Sequence, residues 1–137
     1  MIIRVGKIKI KINNMELLYK EEAYKIIGIC MEVHRELGIG FSEIIYKDAM
    51  EIEFKSQNIP YVREALLGAS YKSIPLNRDF RVDFTVYDTI ILEVKATSAL
   101  IEEHERQTLN YLAMSKMRLG LLVNFGTLSL QHRRFIL

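Results

Sequence analysis

The segment Ile90-Ile91-Leu92-Glu93-Val94-Lys95-Ala96 constrains this chain more than any other part of it. A short apolar run with β-branched residues reads as a strand buried on both faces. Into it come an acid and a base two residues apart. Side chains at i and i+2 of a strand share a face, so Glu93 and Lys95 look one way and Val94 the other. Charges at the end of a buried strand are costly unless they are paired, solvated or bound to a metal. The segment therefore marks a candidate site.

The preceding segment supplies a partner. In the run from Arg78 to Tyr87, Val82, Phe84 and Val86 are expected on one face and Arg81, Asp83 and Thr85 on the other. A turn around Asp88 joins this strand to the next as a hairpin. If the hairpin is symmetric about Asp88, Asp83 stands across from Glu93, with Cβ atoms roughly 5 Å apart. Facing carboxylates destabilise a sheet unless a cation lies between them. A hard divalent ion such as Mg²⁺ takes such a set, with a backbone carbonyl and open positions for water or phosphate. The competing reading makes Asp83 one half of a surface ion pair with Arg81 or Lys95.

A chain of 137 residues, half of them apolar and 26% charged, has enough to bury a core as one globular domain. No segment has the length and hydropathy of a membrane span, and no signal peptide is expected. The one cysteine, Cys30, lies in an apolar helical stretch. It reads as a core thiol and fits a reducing cytoplasm. Residues 1 to 19 hold four basic side chains and one acid, for +3, which leaves −1 on the rest of a chain of net charge +2. Bulk electrostatics therefore do not point to nucleic acid, and such binding would need a local patch. Candidates are the N-terminal lysines, Lys116 with Arg118, and Arg133 with Arg134.

Residues 2 to 12 alternate isoleucine with lysine and are expected to form an edge strand or an extension, so that 1–19 stands apart from a domain over 20–137. Helical spacing runs from about Lys20 to Leu37, with Ala23, Ile26, Ile27, Cys30, Met31 and Val33 or His34 on its apolar stripe. Gly38 and Gly40 follow as stop signals. Ser42 is a candidate N-cap for a second helix to about Gln57, whose stripe is expected at Ile45, Ala49, Ile52 and Phe54. An extended segment from Pro60 to Tyr71, a turn over 73–77 and the hairpin come next. A helix over about 102–115 and two closing strands, 117–124 and 128–135, complete an α/β layout with a mixed sheet. On the third helix His104, Gln107 and Tyr111 share a face and are placed to rim the acidic pair. Equally, Tyr111 is open to a core role and Gln107 to an exposed one.

Together these pieces resemble the PD-(D/E)XK nuclease superfamily, and within it the small GxxExxY family. The naming string stands as Gly40-Phe41-Ser42-Glu43-Ile44-Ile45-Tyr46, preceded by Glu32-Val33-His34-Arg35-Glu36-Leu37-Gly38. Asp83 with Glu93-Val94-Lys95 is similar to the D…ExK signature. His104, Gln107 and Tyr111 resemble a downstream helix motif, and Arg118 to Gly126 resembles the following strand.

The resemblance implies a restriction-endonuclease-like core, a mixed central sheet flanked by helices. It also implies a nuclease that hydrolyses phosphodiester bonds with Mg²⁺ or Mn²⁺, with DNA the first expectation as substrate. On that resemblance Asp83, Glu93 and the Val94 carbonyl hold the metal, and Glu43 binds it directly or through water. Lys95 orients the attacking water and stabilises charge on the phosphate. Gln107, Tyr111 and His104 shape the site or contact the nucleic acid. A non-catalytic nucleic-acid-binding or assembly module with the same fold is the alternative, followed by a structural protein whose charges only pair. A homodimer through the N-terminal strand, or a separate protein partner, is a further expectation.

Overall fold

The computed structural model describes the backbone of residues 2–5 and 8–11 and the whole of residues 19–137. Two short strands, β1 (Ile2–Val5) and β2 (Ile8–Lys11), pair antiparallel with each other in a sheet of their own. The single strand expected over residues 2–12 is thus two. The facing of its isoleucines and lysines lies outside the described residues.

The main sheet has five strands in the order β3 (Tyr61–Tyr71), β4 (Ile74–Val86), β5 (Ile90–Lys95), β6 (Leu119–Asn124) and β7 (Gln131–Ile136). All neighbours are antiparallel except β5 and β6, which run parallel. A parallel pair needs a crossover, and helix α3 (Glu102–Ser115) supplies it. Helices α1 (Lys20–Leu37) and α2 (Glu43–Ser56) precede the sheet.

The core has two parts, one on each face of the sheet. The larger joins Ile26, Ile29, Cys30 and Val33 of α1 and Tyr46, Met50 and Phe54 of α2 to Phe84, Val86, Ile90, Leu92, Val94, Leu121 and Val123. The smaller sets Leu112 of α3 against Ala65, Val82 and Ile91. This is a mixed α/β sheet flanked by helices, as expected.

Three local expectations are corrected. On α1 the stripe contains Ile29, whereas Met31 is 45% exposed. On α2 the buried side is Tyr46, Lys47, Met50 and Phe54, and Ile45 and Ile52 face solvent. Phe54 is buried and Ala49 packs against the core, as expected, but the first turns of the stripe are rotated by about one residue because the large ring of Tyr46 fills the space over the sheet. Finally, residues 74–77 belong to β4, and the turn is Lys72-Ser73. Both residues take positive φ, the geometry of a tight two-residue hairpin.

Tyr46 accounts for much of the Gly40 to Tyr46 string. Its ring stacks on Phe125 with centroids 4.5 Å apart, and its hydroxyl donates to the Gly38 carbonyl at 2.5 Å. That bond closes the α1–α2 turn, where Gly38 and Gly40 have φ of +68° and +102°, a conformation that costs glycine little. His34 packs in the same region, its Nε2 2.8 Å from the Thr127 carbonyl oxygen.

Candidate functional site

The β4–β5 ladder pairs Phe84 with Leu92, Thr85 with Ile91 and Val86 with Ile90, the register expected for a hairpin centred on Asp88. Its turn places Tyr87 and Asp88 at positive φ, with the Thr89 N–H donating to the Val86 carbonyl at 3.2 Å. One step past the last ladder pair, Asp83 and Glu93 come opposite each other. Here side chains replace the backbone ladder. Asp83 Oδ2 accepts the Val94 N–H at 2.7 Å, and Glu93 Oε1 accepts the Asp83 N–H at 3.2 Å.

This exchange breaks the alternation of β4. Phe84 and Val86 lie in the core under α1 and α2, while Val82 lies in the core under α3. The single face expected for Val82, Phe84 and Val86 is therefore interrupted at Asp83.

On the far side of β4, the β3–β4 register passes from Arg63↔Phe84 to Ala65↔Val82, leaving Glu64 across from Asp83. Glu64 has φ +53°, a left-handed conformation unusual for a residue with a Cβ. Glu64, Asp83 and Glu93 thus form a transverse row on three adjacent strands. Lys47 reaches the row from α2. Its Nζ is 2.7 Å from Glu64 Oε1 and 2.9 Å from Asp83 Oδ1, and its side chain is only 8% exposed.

The electrostatics follow from this packing. Glu93 is 4% exposed. Burial, and then the charge of Asp83, push its carboxyl up to about 9, so that it holds a proton at neutral pH. Burial pulls the Lys47 ammonium down, but hydrogen bonds to Glu64 and Asp83 and their charges outweigh it, and the net shift is upward. Tyr111 is raised by burial and by the charges of Glu93 and Asp83, which sets its hydroxyl in the field of the same row.

Lys95 lies on the face of Glu93, as the i, i+2 spacing predicts, and its Nζ donates to Gln107 Oε1 of α3 at 3.2 Å. Tyr111, one turn further along α3, stacks on Phe80 with centroids 5.1 Å apart. His104 has a different task. Its Nδ1 accepts the Ile101 N–H at 3.2 Å and caps the start of α3.

The structure brings together Asp83, Glu93, Lys95, Gln107 and Tyr111. It does not add Glu43 to a three-acid group: among the described residues no set of three or more His, Cys, Asp or Glu is placed to hold one metal ion. Glu43 is half-buried in the first turn of α2, one turn before Lys47. The donor chemistry at Asp83 and Glu93 nevertheless suits a hard cation. These are two adjoining carboxylates, one with its charge suppressed by burial and by its neighbour, beside the main chain of Val94.

Sequence reasoning missed Glu64, Lys47, Asn124 and Gln131. Asn124, fully buried, accepts the Thr97 and Gly126 N–H groups at 2.9 and 3.1 Å and donates to the Thr97 carbonyl at 3.0 Å. Its amide also donates to Gln131 Oε1 at 3.1 Å, and the Phe125 N–H donates to the Lys95 carbonyl at 2.8 Å. Together they fix the end of β5 that carries Lys95. The one available signal was a polar residue ending the apolar run Leu119 to Val123.

A family model for the PD-(D/E)XK nuclease superfamily matches residues 20–135. No curated protein matches the chain. Among solved structures, one described as "Crystal structure of SSO0001" superposes with a TM-score of 0.50 at 18% identity. It covers 89% of this chain, which spans 61% of that one. At that identity the likeness concerns the fold. No helix among the described residues is long and apolar enough to cross a membrane.

Proposed function

Because the chain belongs to the PD-(D/E)XK nuclease superfamily, we propose that it is a divalent-metal-dependent nuclease acting on DNA, with Asp83, Glu93 and Lys95 at its centre. The observation that carries this reading is the reciprocal bonding of Asp83 and Glu93 across β4 and β5, with Lys95 on the same face as Glu93. The Gly40 to Tyr46 string supports a finer placement in the GxxExxY branch, and the buried Cys30 thiol supports a reducing cytoplasm.

Asp83, Glu93 and the Val94 carbonyl would hold Mg²⁺ or Mn²⁺, with Glu43 acting through water. When bound, the ion polarises a phosphoryl oxygen, acidifies water and offsets leaving-group charge. Holding the ion would require Glu93 to be ionised, so its proton would have to leave to solvent for the second carboxylate to serve. Lys95, positioned by Gln107, presents an ammonium where negative charge grows on the phosphate, and such a preorganised cation counts most in the transition state. Tyr111 lines the same edge and orients the substrate backbone. A homodimer that presents two such sites to two strands belongs to the same proposal, and light scattering after gel filtration tests it.

Replacing Lys95 with Ala is expected to lower cleavage of labelled DNA in Mg²⁺ or Mn²⁺ by at least about a hundredfold, with the melting temperature nearly unchanged. Equal cleavage by the variant and the parent would defeat the mechanism. One observation favours a second reading, a nucleic-acid-binding or assembly module: an ammonium already sits against Asp83. Salt-dependent DNA binding without hydrolysis in either metal would select that reading.

A further inference from the structure

Lys47 occupies a position that would suit an apolar residue, on the buried side of α2 between Tyr46 and Met50. An ammonium taken out of water there is costly unless its partners are close. Both are: Glu64 Oε1 at 2.7 Å and Asp83 Oδ1 at 2.9 Å. The partners differ in kind. Asp83 is 17% exposed and its other oxygen is tied to the Val94 N–H. Glu64 is 38% exposed and stands at the outer end of the acid row.

A lysine head rides on a flexible four-carbon stem, so it can leave one partner and keep the other without moving its helix. We propose that Lys47 is a resident counter-cation that holds the Asp83 oxygen until a divalent ion takes it. On exchange Lys47 shifts wholly onto Glu64. The inference rests on the metal-dependent reading above and adds the element that sets its affinity. Lys47 keeps the facing acids of β3 and β4 compatible with a folded sheet in the absence of the ion. Competition for Asp83 also weakens ion binding, because two ligands of one group lower each other's affinity by the same factor.

The test measures Mn²⁺ affinity by calorimetry, and melting temperature in EDTA and in Mn²⁺, for the parent, Lys47→Met, Glu64→Gln and the double variant. Lys47→Met is expected to bind Mn²⁺ about tenfold tighter, to melt lower in EDTA and to gain more from Mn²⁺ than the parent does. Glu64→Gln, which removes the alternative seat, is expected to bind Mn²⁺ more weakly. Should Lys47→Met fail to fold, the double variant removes one charge of each sign and carries the comparison, again with tighter binding than Glu64→Gln alone. Unchanged or weaker Mn²⁺ binding on loss of Lys47, in a parent that binds Mn²⁺, would overturn the exchange and leave the nuclease reading standing. Absence of Mn²⁺ binding in the parent and every variant would sink both.

Discussion

Glu93 shows how a single residue carries the condition of the whole site. Its carboxyl is buried beside Asp83, and its tendency to ionise moves from an ordinary 4.5 to about 9. An acid whose affinity for protons rises on folding stabilises the fold in full below its unfolded value, and that contribution is lost as pH rises toward the folded value. The metal-free protein is therefore expected to lose several degrees of melting temperature between about pH 5 and pH 9. Saturating Mn²⁺, which favours the ionised pair, should flatten that slope, and Glu93→Gln should flatten it without metal. Parallel slopes for the parent and Glu93→Gln in EDTA would show that Glu93 is not the titrating group. Lys47 is the opposite lesson in legibility. Nothing in its sequence neighbourhood distinguishes it from an exposed helix lysine, and its burial follows from the rotational setting of α2.

Elements differ in how much of their placement their own residues dictate. The β4–β5 register was legible because the apolar residues and the turn signal at Asp88 admit one symmetric pairing. The facing of α2 was not, since Ile45 and Ile52 are at least as apolar as Tyr46, Lys47 and Met50, which take the buried side instead. Helix α3 sits where it does because β6 makes room. A Cβ at Gly120 would lie 2.9 Å from Thr108 Cγ2 and 3.2 Å from Leu112 Cδ1. Gly120→Val should therefore lift α3, lengthen the Lys95–Gln107 contact and cost about 1–3 kcal/mol. Chemical denaturation reports the stability, and cleavage assays should show a loss larger than the fraction unfolded explains. Wild-type stability in this variant would mean that α3 is not closely seated. Gly126 is tighter still, since a Cβ there would come 2.1 Å from the Thr97 carbonyl oxygen.

At the scale of the molecule, the superfamily match and the five-stranded sheet cover the same stretch, residues 20–135 and Tyr61 to Ile136 with their flanking helices. Among the described residues, strands β1 and β2 pair with each other and with no strand of the main sheet. A chain beginning at Tyr19 is accordingly expected to keep its melting temperature within a few degrees and to retain the Mn²⁺ affinity of the full chain. A large loss of either would assign residues 1–18 to the domain. The overall layout was legible because each element's periodicity agrees with its neighbours'. The third acid was not, since its place depends on an irregularity elsewhere in β3 and β4.

That irregularity lies in the outer half of the β3–β4 ribbon. Near the Lys72-Ser73 turn, Ser70 pairs with Pro75, but beyond a shift between Gly68 and Ser70 the partner of Gly68 is Asp79, and Asn77 is left at φ +55°. Carried straight down the ribbon, the pairing nearest the turn would set Arg81 across from Glu64, giving an ordinary cross-strand salt link. The slack absorbed at Asn77 moves the alignment on by two residues and puts Asp83 there in its place. Deleting residues 76 and 77 would therefore take out the slack yet keep the inner alignment, since Ala69 would then face Arg78, Gly68 would keep Asp79 and Glu64 would still meet Asp83.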